Sequence, residues 1–254
     1  MGNLLPYVLA ALAGFAASAV NAVAGGGTLI SFPTLMALGL PTKTANATNA
    51  VALWPGSASG ALGFHKYFDE TKSQLKTLLP PTIAGALLGS AFLVATNEKT
   101  FKVVVPFLIL AATLLLAFQG RIKWAADQSG FKLKAWQVAG LQFLVSLYGG
   151  YFGAGMGIMM LAVMSLYEGL DLHRLNVLKN WLAVVINFGA SIILLSQKLV
   201  DLPFAAAMMV GALFGGYASA FLAQKIAADK LRFAVVLYGF VMVAYLFWGL
   251  FRGA

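Results

Sequence analysis

The chain has no cysteine, few charged residues and few carboxylates, and each shortage excludes a class of function. Without a thiol, disulfide scaffolds, cysteine nucleophiles and thiolate metal sites are excluded. Charged residues make up 10% of the chain, against roughly 25% in a soluble domain, whereas hydrophobic residues make up 61%. Apolar runs of about 18 or more residues recur, long enough to span a bilayer as helix. This composition predicts an all-α polytopic membrane protein.

Sequence motifs of enzymes and of nucleic-acid-binding proteins are also missing. No Walker A, His-Glu-x-x-His or Gly-x-Ser-x-Gly motif occurs, so we expect neither ATP-driven transport by this chain nor enzyme activity, metal or cofactor. The 17 Lys and Arg exceed the 8 Asp and Glu, but no basic run has interleaved aromatics. Cationic loops at the cytoplasmic face of a membrane explain the excess. The expected partner is therefore a lipid bilayer and not a nucleic acid.

The few carboxylates all lie in predicted loops or at predicted helix ends. Proton relays and cation sites within membranes use buried carboxylates. Their absence from the apolar segments therefore favours an anionic substrate. The eight are Asp69, Glu70, Glu98, Asp127, Glu168, Asp171, Asp201 and Asp229.

A glycine-rich stretch, residues 24–49, recurs in weakened form in the second half. We interpret this as an internal duplication, with a first repeat over 1–120, a cytoplasmic linker over 121–134 and a second repeat over 135–254. The aligned pairs are Gly25 and Gly155, Gly27 and Gly157, Gly39 and Gly169, and, after one inserted residue, Asn49 and Asn180.

Each half begins with an apolar stretch that glycines interrupt, and three transmembrane helices are predicted after it. We expect the broken stretches, 3–39 and 135–168, to form two helical arms, either as a re-entrant hairpin or as two short crossings. The charged segment 66–75 is predicted as a loop. The predicted crossings are 44–65, 76–96, 101–119, 177–196, 204–224 and 233–250.

The distribution of cations predicts how the halves are oriented. If each broken stretch returns to the side it entered, the halves have inverted topology, and loops on one side hold 12 of the 17 Lys and Arg. If each stretch crosses once, the cations divide 9 to 8. The positive-inside rule favours the inverted repeats, with both termini extracytoplasmic. The first charged residue is Lys43, so the N-terminal run is expected to be a retained membrane segment and not a signal peptide.

Inverted repeats with discontinuous helices are typical of secondary transporters, whose sites lie near the midplane between the repeats. Here the two breaks, 25–28 and 153–157, would meet at that depth. The second arm of each hairpin starts just after the glycines, so its free N–H groups and positive dipole end would face an anion. The alternative is that the glycines only permit close helix packing, which we favour for the Gly56/Gly60, Gly85/Gly89 and Gly211/Gly215 pairs.

Polar side chains within the apolar segments complete the candidate site. Asparagine can donate to an oxyanion, although hydrogen bonding between helices is the alternative. Lys179 has an uncharged counterpart, Thr48, and an intramembrane cation is either functional or snorkels to the interface. The candidate substrate-binding residues are Gly26, Gly27, Thr28, Thr48, Asn49, Gly155, Met156, Gly157, Lys179, Asn180 and Asn187.

The chain resembles the TauE/SafE family of anion permeases, which export sulfite and organosulfonates. The resemblance lies in AVAGGGTLISFPTLMALGLPTKTANATN with the following WPGSASG, and in GYFGAGMGIMM and KNWLAVVINFGAS of the second half. It covers essentially the whole chain. It implies a carrier in the inner membrane that moves sulfite or a small sulfonate such as sulfoacetate outward.

These observations favour a secondary carrier for a small sulfur oxyanion that works by alternating access. A carrier for another anion such as a carboxylate, a passive anion channel and a structural subunit of a larger complex remain alternatives. Proton coupling could use the substrate itself or a histidine, His65 or His173. The small-residue faces could serve a homodimer or packing within the chain.

Overall fold

The protein is an all-helical bundle, as its composition predicts. The computed structural model describes residues 4–23, 25–62, 68–128, 133–166, 172–225 and 228–251. In these ranges the helices are α1 (Leu5–Val23), α2 (Thr28–Ala37), α3 (Thr42–Leu62), α4 (Phe68–Ala95), α5 (Glu98–Gln128), α6 (Ala135–Tyr151), α7 (Met156–Ser165), α8 (Leu172–Ser196), α9 (Leu202–Lys225) and α10 (Ala228–Phe251).

Each half starts with a longer and a shorter helix that glycines separate, which confirms the predicted breaks. Gly25, Gly153 and Gly155 have φ of 80°, 78° and 74°, a left-handed conformation that glycine adopts at no steric cost. The helices after the breaks, α2 and α7, have 10 residues each. At 1.5 Å per residue each is about 15 Å long, about half of a bilayer's hydrocarbon core.

Both broken stretches fold back on themselves as hairpins. In the second half, the Leu133 N–H donates to the Leu166 carbonyl at 2.9 Å, so the two ends of the stretch meet. In the first half, the Tyr7 ring of α1 packs on Phe204 at the start of α9, with centroids 5.0 Å apart. The loop just before α9 donates to Thr48, near the start of α3. The first residues of α1 and of α3 therefore lie at the same end of the bundle.

The two halves interlock through exchanged helices. The first-half helix α4 packs against α6 and α8, and the second-half helix α9 packs in the same way against α1 and α3. The pairs α3–α8 and α5–α10 join equivalent helices of the two halves. These principal contacts follow a two-fold pattern, which is compatible with inverted repeats. The orientation of the repeats in the membrane stays a prediction.

Glycines on α4 and α9 make this interlocking possible. A Cβ added at Gly89 would lie 2.0 Å from the Leu147 carbonyl oxygen of α6. One added at Gly211 would lie 1.8 Å from the Ala11 carbonyl oxygen of α1. Both small-residue faces are therefore occupied within the chain. The homodimer that the sequence leaves open would need another surface.

Five helices among the described residues are long and apolar enough to cross a membrane: α4, α5, α8, α9 and α10. The predicted crossing at 44–65 corresponds to α3, which has 21 residues but is not among those five. Its polar residues include Lys43, Asn46, Thr48 and Asn49, which are buried against other helices. The polar content of α3 thus reflects contacts inside the protein.

One charged segment that we predicted as a loop is largely helix, and a second helix extends further than its predicted crossing. The segment 66–75 is helical from Phe68 onwards, and α5 continues to Gln128 into the predicted linker. Asp69 and Glu70 lie in the first turn of α4, where negative charge stabilises the positive end of the helix dipole. The loop prediction for 66–75 was wrong because charge marks where a helix leaves the membrane and not where it ends.

Candidate functional site

A small cavity lies where the two glycine breaks meet. A Cβ added at Gly25 would be 3.1 Å from the Ile158 nitrogen, and one at Gly157 would be 3.1 Å from the Gly25 Cα. The cavity has a volume of about 20 Å³, room for a water molecule or a small ion. Its lining comes from both halves: Asn21, Gly25, Thr28, Leu53, Ser57, Gly153, Met156, Gly157, Met160, Lys179, Asn180, Ala183 and Asn187.

Lys179 brings a positive charge to this cavity. Its side chain is 2% exposed, and its Nζ donates to the Asn21 carbonyl oxygen at 3.1 Å. The lysine therefore points into the protein and does not snorkel to the interface. None of the described residues that line the cavity is acidic. A cavity whose described lining carries an ammonium and no carboxylate is electrostatically suited to an anion.

Asn180, one residue further along α8, presents a buried hydrogen-bond donor. The residue is 4% exposed, and its Nδ2 has no hydrogen-bond partner among the described residues. Leaving such a donor unsatisfied costs about 1–3 kcal/mol. An acceptor in the cavity would remove that cost. Asn187, which also lines the cavity, donates from its own Nδ2 to the Ala183 carbonyl at 3.1 Å.

Backbone N–H groups at the starts of α2 and α7 face the same region. Within the described part of the chain, the Thr28 and Gly157 N–H groups have no hydrogen-bond acceptor. The Gly27 N–H donates to the Asn21 Oδ1 at 2.8 Å, and the Met156 N–H donates to a carbonyl of its own break. Two of the N–H groups that we predicted to hold an anion are thus engaged elsewhere.

Two predicted glycines face helix α5 and not the cavity. A Cβ on Gly26 would lie 2.9 Å from the Leu116 side chain, and one on Gly155 would lie 3.3 Å from Ala112. Both glycines therefore serve close packing of the breaks against α5.

Two predicted polar residues of α3 also do not line the cavity. The Thr48 Oγ1 accepts from the Asp201 N–H at 3.0 Å and so fastens the loop before α9. The Asn49 Oδ1 accepts from the Ser31 Oγ at 2.5 Å and joins α3 to α2. Of the two aligned asparagines, only Asn180 reaches the cavity.

The candidate set from the sequence did not include Asn21 and Ser57, which also line the cavity. Asn21 lies just before the triple glycine at the end of an apolar helix, and this position was a usable signal. Ser57 follows the Trp-Pro-Gly sequence of α3, and nothing in its context marks it. His65 and the side chain of His173 lie outside the described residues.

Comparison with known proteins identifies one family and several relatives. The family described as sulfite exporter TauE/SafE matches residues 10–246. A "Probable membrane transporter protein" of Haemophilus influenzae is 30% identical over 240 residues, covering 91% of this chain and 90% of that protein. The "Probable membrane transporter protein YfcA" of Escherichia coli K12 is 23% identical over 244 residues, covering 94% and 87%. No solved structure matches the chain.

Proposed function

Because this multi-pass membrane transporter belongs to the sulfite exporter TauE/SafE family, we propose that it is a secondary carrier for a small sulfur oxyanion. The proposed substrates are sulfite and sulfoacetate, and the proposed direction of transport is export. The anion would bind in the cavity between the two halves, at the glycine breaks.

The buried Nδ2 of Asn180, which has no hydrogen-bond partner among the described residues, carries this proposal together with the Lys179 ammonium in the same cavity. A sulfonate or sulfite group accepts several hydrogen bonds at once, and bonds to a charged group are the strongest of these. Lys179 would supply the charge and Asn180 would orient the anion, with the Gly157 and Thr28 N–H groups completing the shell. Asn187 lies close enough to join them in the same cavity.

The size of the cavity supports alternating access. A volume of about 20 Å³ suits a water molecule, and a sulfur oxyanion is larger. Binding therefore requires the breaks to move apart, and rocking of one half against the other would expose the site to each side in turn. A pore that remains open would not need such a movement.

Counterflow into proteoliposomes tests this function. Vesicles that contain the protein and are preloaded with sulfoacetate should accumulate labelled sulfite or sulfoacetate with saturation, whereas protein-free vesicles should not. Equal exchange of acetate would favour a carboxylate carrier. A current that does not saturate, without counterflow, would favour a passive channel.

We also propose an orientation in the inner membrane, with both termini extracytoplasmic. The end of the bundle that carries Lys72 and Arg174 would face the cytoplasm, in agreement with the positive-inside rule. A C-terminal alkaline phosphatase fusion should then be active, and a C-terminal green fluorescent protein fusion should be dark. An inactive phosphatase fusion together with a fluorescent green fluorescent protein fusion would place the C-terminus in the cytoplasm.

Proton coupling is a further part of the proposal, through the substrate or a histidine. An imposed pH gradient should then drive net uptake of sulfite, and an uncoupler should abolish it. If the rate of uptake does not depend on the pH gradient, the carrier exchanges anions without proton coupling.

A further inference from the structure

The duplicated sequence raises the question of whether the carrier has two equivalent sites. We propose that it holds one anion per chain, on the second-half helix α8, and that the equivalent first-half position has become a packing contact. This inference rests on the proposed function, since it concerns the stoichiometry and the asymmetry of the same site.

The two aligned asparagines have different surroundings. In the first half, the Ser31 hydroxyl donates to the Asn49 Oδ1, so the amide of α3 is fastened to α2. The residue aligned with Ser31 in the second half is Leu161, whose side chain can neither donate nor accept. The second asparagine, Asn180, lines the cavity, and no residue in the described part of the chain pairs with its Nδ2. Asn49 is thus tied to α2 through its carbonyl oxygen and does not line the cavity, whereas Asn180 lines the cavity with its amide donor.

The residue just before each asparagine also makes a packing contact in the first half and lines the cavity in the second. The Thr48 hydroxyl is engaged with the Asp201 N–H, while its counterpart Lys179 places an ammonium at the cavity. The first-half position therefore offers no charge. An anion there would have to be stripped of water without a cation to offset the cost.

Seven residues further along each helix the difference repeats. Asn187 of α8 lines the cavity, and its counterpart on α3 is Gly56. A Cβ at Gly56 would lie 2.1 Å from the Ser18 Oγ and 2.7 Å from the Ala212 carbonyl oxygen, so no polar side chain fits there. Helix α3 thus uses this face to pack against α1 and α9, and helix α8 uses it to line the cavity.

Isothermal titration calorimetry of the purified full-length protein with sulfoacetate tests the asymmetry. We expect one anion per chain. Asn180→Leu should weaken binding by about tenfold or more, since a hydrogen bond to a charged group contributes about 1.5–3 kcal/mol. The matched variant Asn49→Leu should keep the affinity within about threefold, a change of less than 1 kcal/mol, and lower the melting temperature. If Asn49→Leu does not fold, Ser31→Ala removes the same bond and should also bind one anion.

The outcomes separate this inference from the carrier itself. A stoichiometry of two anions per chain would overturn the single site while the carrier stands. The same holds if Asn49→Leu or Ser31→Ala loses as much affinity as Asn180→Leu does. The single site and the carrier are both supported if the wild type binds one anion per chain and shows counterflow, and if only Asn180→Leu loses them. Wild-type protein that neither binds nor exchanges any sulfur oxyanion would overturn the proposed function and the single site with it.

Discussion

The Lys179 ammonium donates to the main-chain carbonyl of Asn21, 3.1 Å away, and so joins the second half of the chain to the first. The Asn21 side chain in turn accepts from the Gly27 N–H at 2.8 Å. A single residue thus connects the cation of α8 to the glycine break that follows α1. An anion in the cavity would compete with this carbonyl for the ammonium, and we expect its binding to loosen this contact between the halves.

Replacing Lys179 with methionine should weaken anion binding while leaving the fold intact. The loss of a charge-assisted hydrogen bond, about 1.5–3 kcal/mol, predicts a dissociation constant for sulfoacetate raised by about tenfold or more. Calorimetry of the purified variant measures this directly.

Lys43→Met is the matched control for that substitution. Lys43 is also buried, but its Nζ donates to the Val94 and Thr96 carbonyls at the end of α4. This variant should melt at a lower temperature and bind the anion as the wild type does. Unchanged affinity in Lys179→Met would remove the lysine from the site.

Gly25→Ala should destabilise the first break. The residue has φ of 80°, and a side chain in this conformation costs roughly 1–2 kcal/mol. The added Cβ would also press on the Ile158 nitrogen at 3.1 Å. We expect a lower melting temperature and loss of counterflow. Gly140→Ala, on an exposed part of α6 where a Cβ would meet no atom of the described residues within 4 Å, should raise stability by up to about 1 kcal/mol. Equal melting temperatures for the two variants would contradict this explanation of the break.

Gly211→Ala should separate packing within the chain from dimerisation. Its Cβ would lie 1.8 Å from the Ala11 carbonyl oxygen, so α1 and α9 would have to move apart. We expect a lower melting temperature with an unchanged oligomeric state by light scattering. Gly249→Ala in α10 is the control, since its Cβ would have no neighbour within 4 Å in the described ranges. Conversion of a dimer to a monomer at an unchanged melting temperature would assign this face to a contact between chains.

Much of the fold could be predicted from the sequence because the bilayer restricts it. The length of the apolar runs predicted an all-helical membrane protein. The glycines of 25–27 and 153–155 indicated both breaks, since few other residues adopt a left-handed φ. The ends of α4 and α5 were misplaced because charged residues continue a helix beyond the membrane. The exchange of α4 and α9 between the halves was not predictable, since no local pattern records which helices pack together.

The candidate site was predicted in part for a similar reason. Lys179 and Asn180 stood out because a cation and an amide are costly in a membrane segment. Thr48 and Asn49 occupy the aligned positions of the first half, but they bond to Asp201 and Ser31, which lie on other segments. Whether an amide binds a ligand or a neighbour depends on those tertiary partners, which the pattern along one helix does not show.

A single introduced cysteine tests the central claim most directly, since the chain has none of its own. Ser57 lines the cavity, and Ser73 lies on an exposed part of α4 away from it. We expect iodoacetamide to react with the cysteine of Ser57→Cys, and we expect sulfoacetate to slow this reaction. The cysteine of Ser73→Cys should react at the same rate with and without the anion. If saturating sulfoacetate leaves the rate at Ser57→Cys unchanged, the cavity at the glycine breaks is not the anion site.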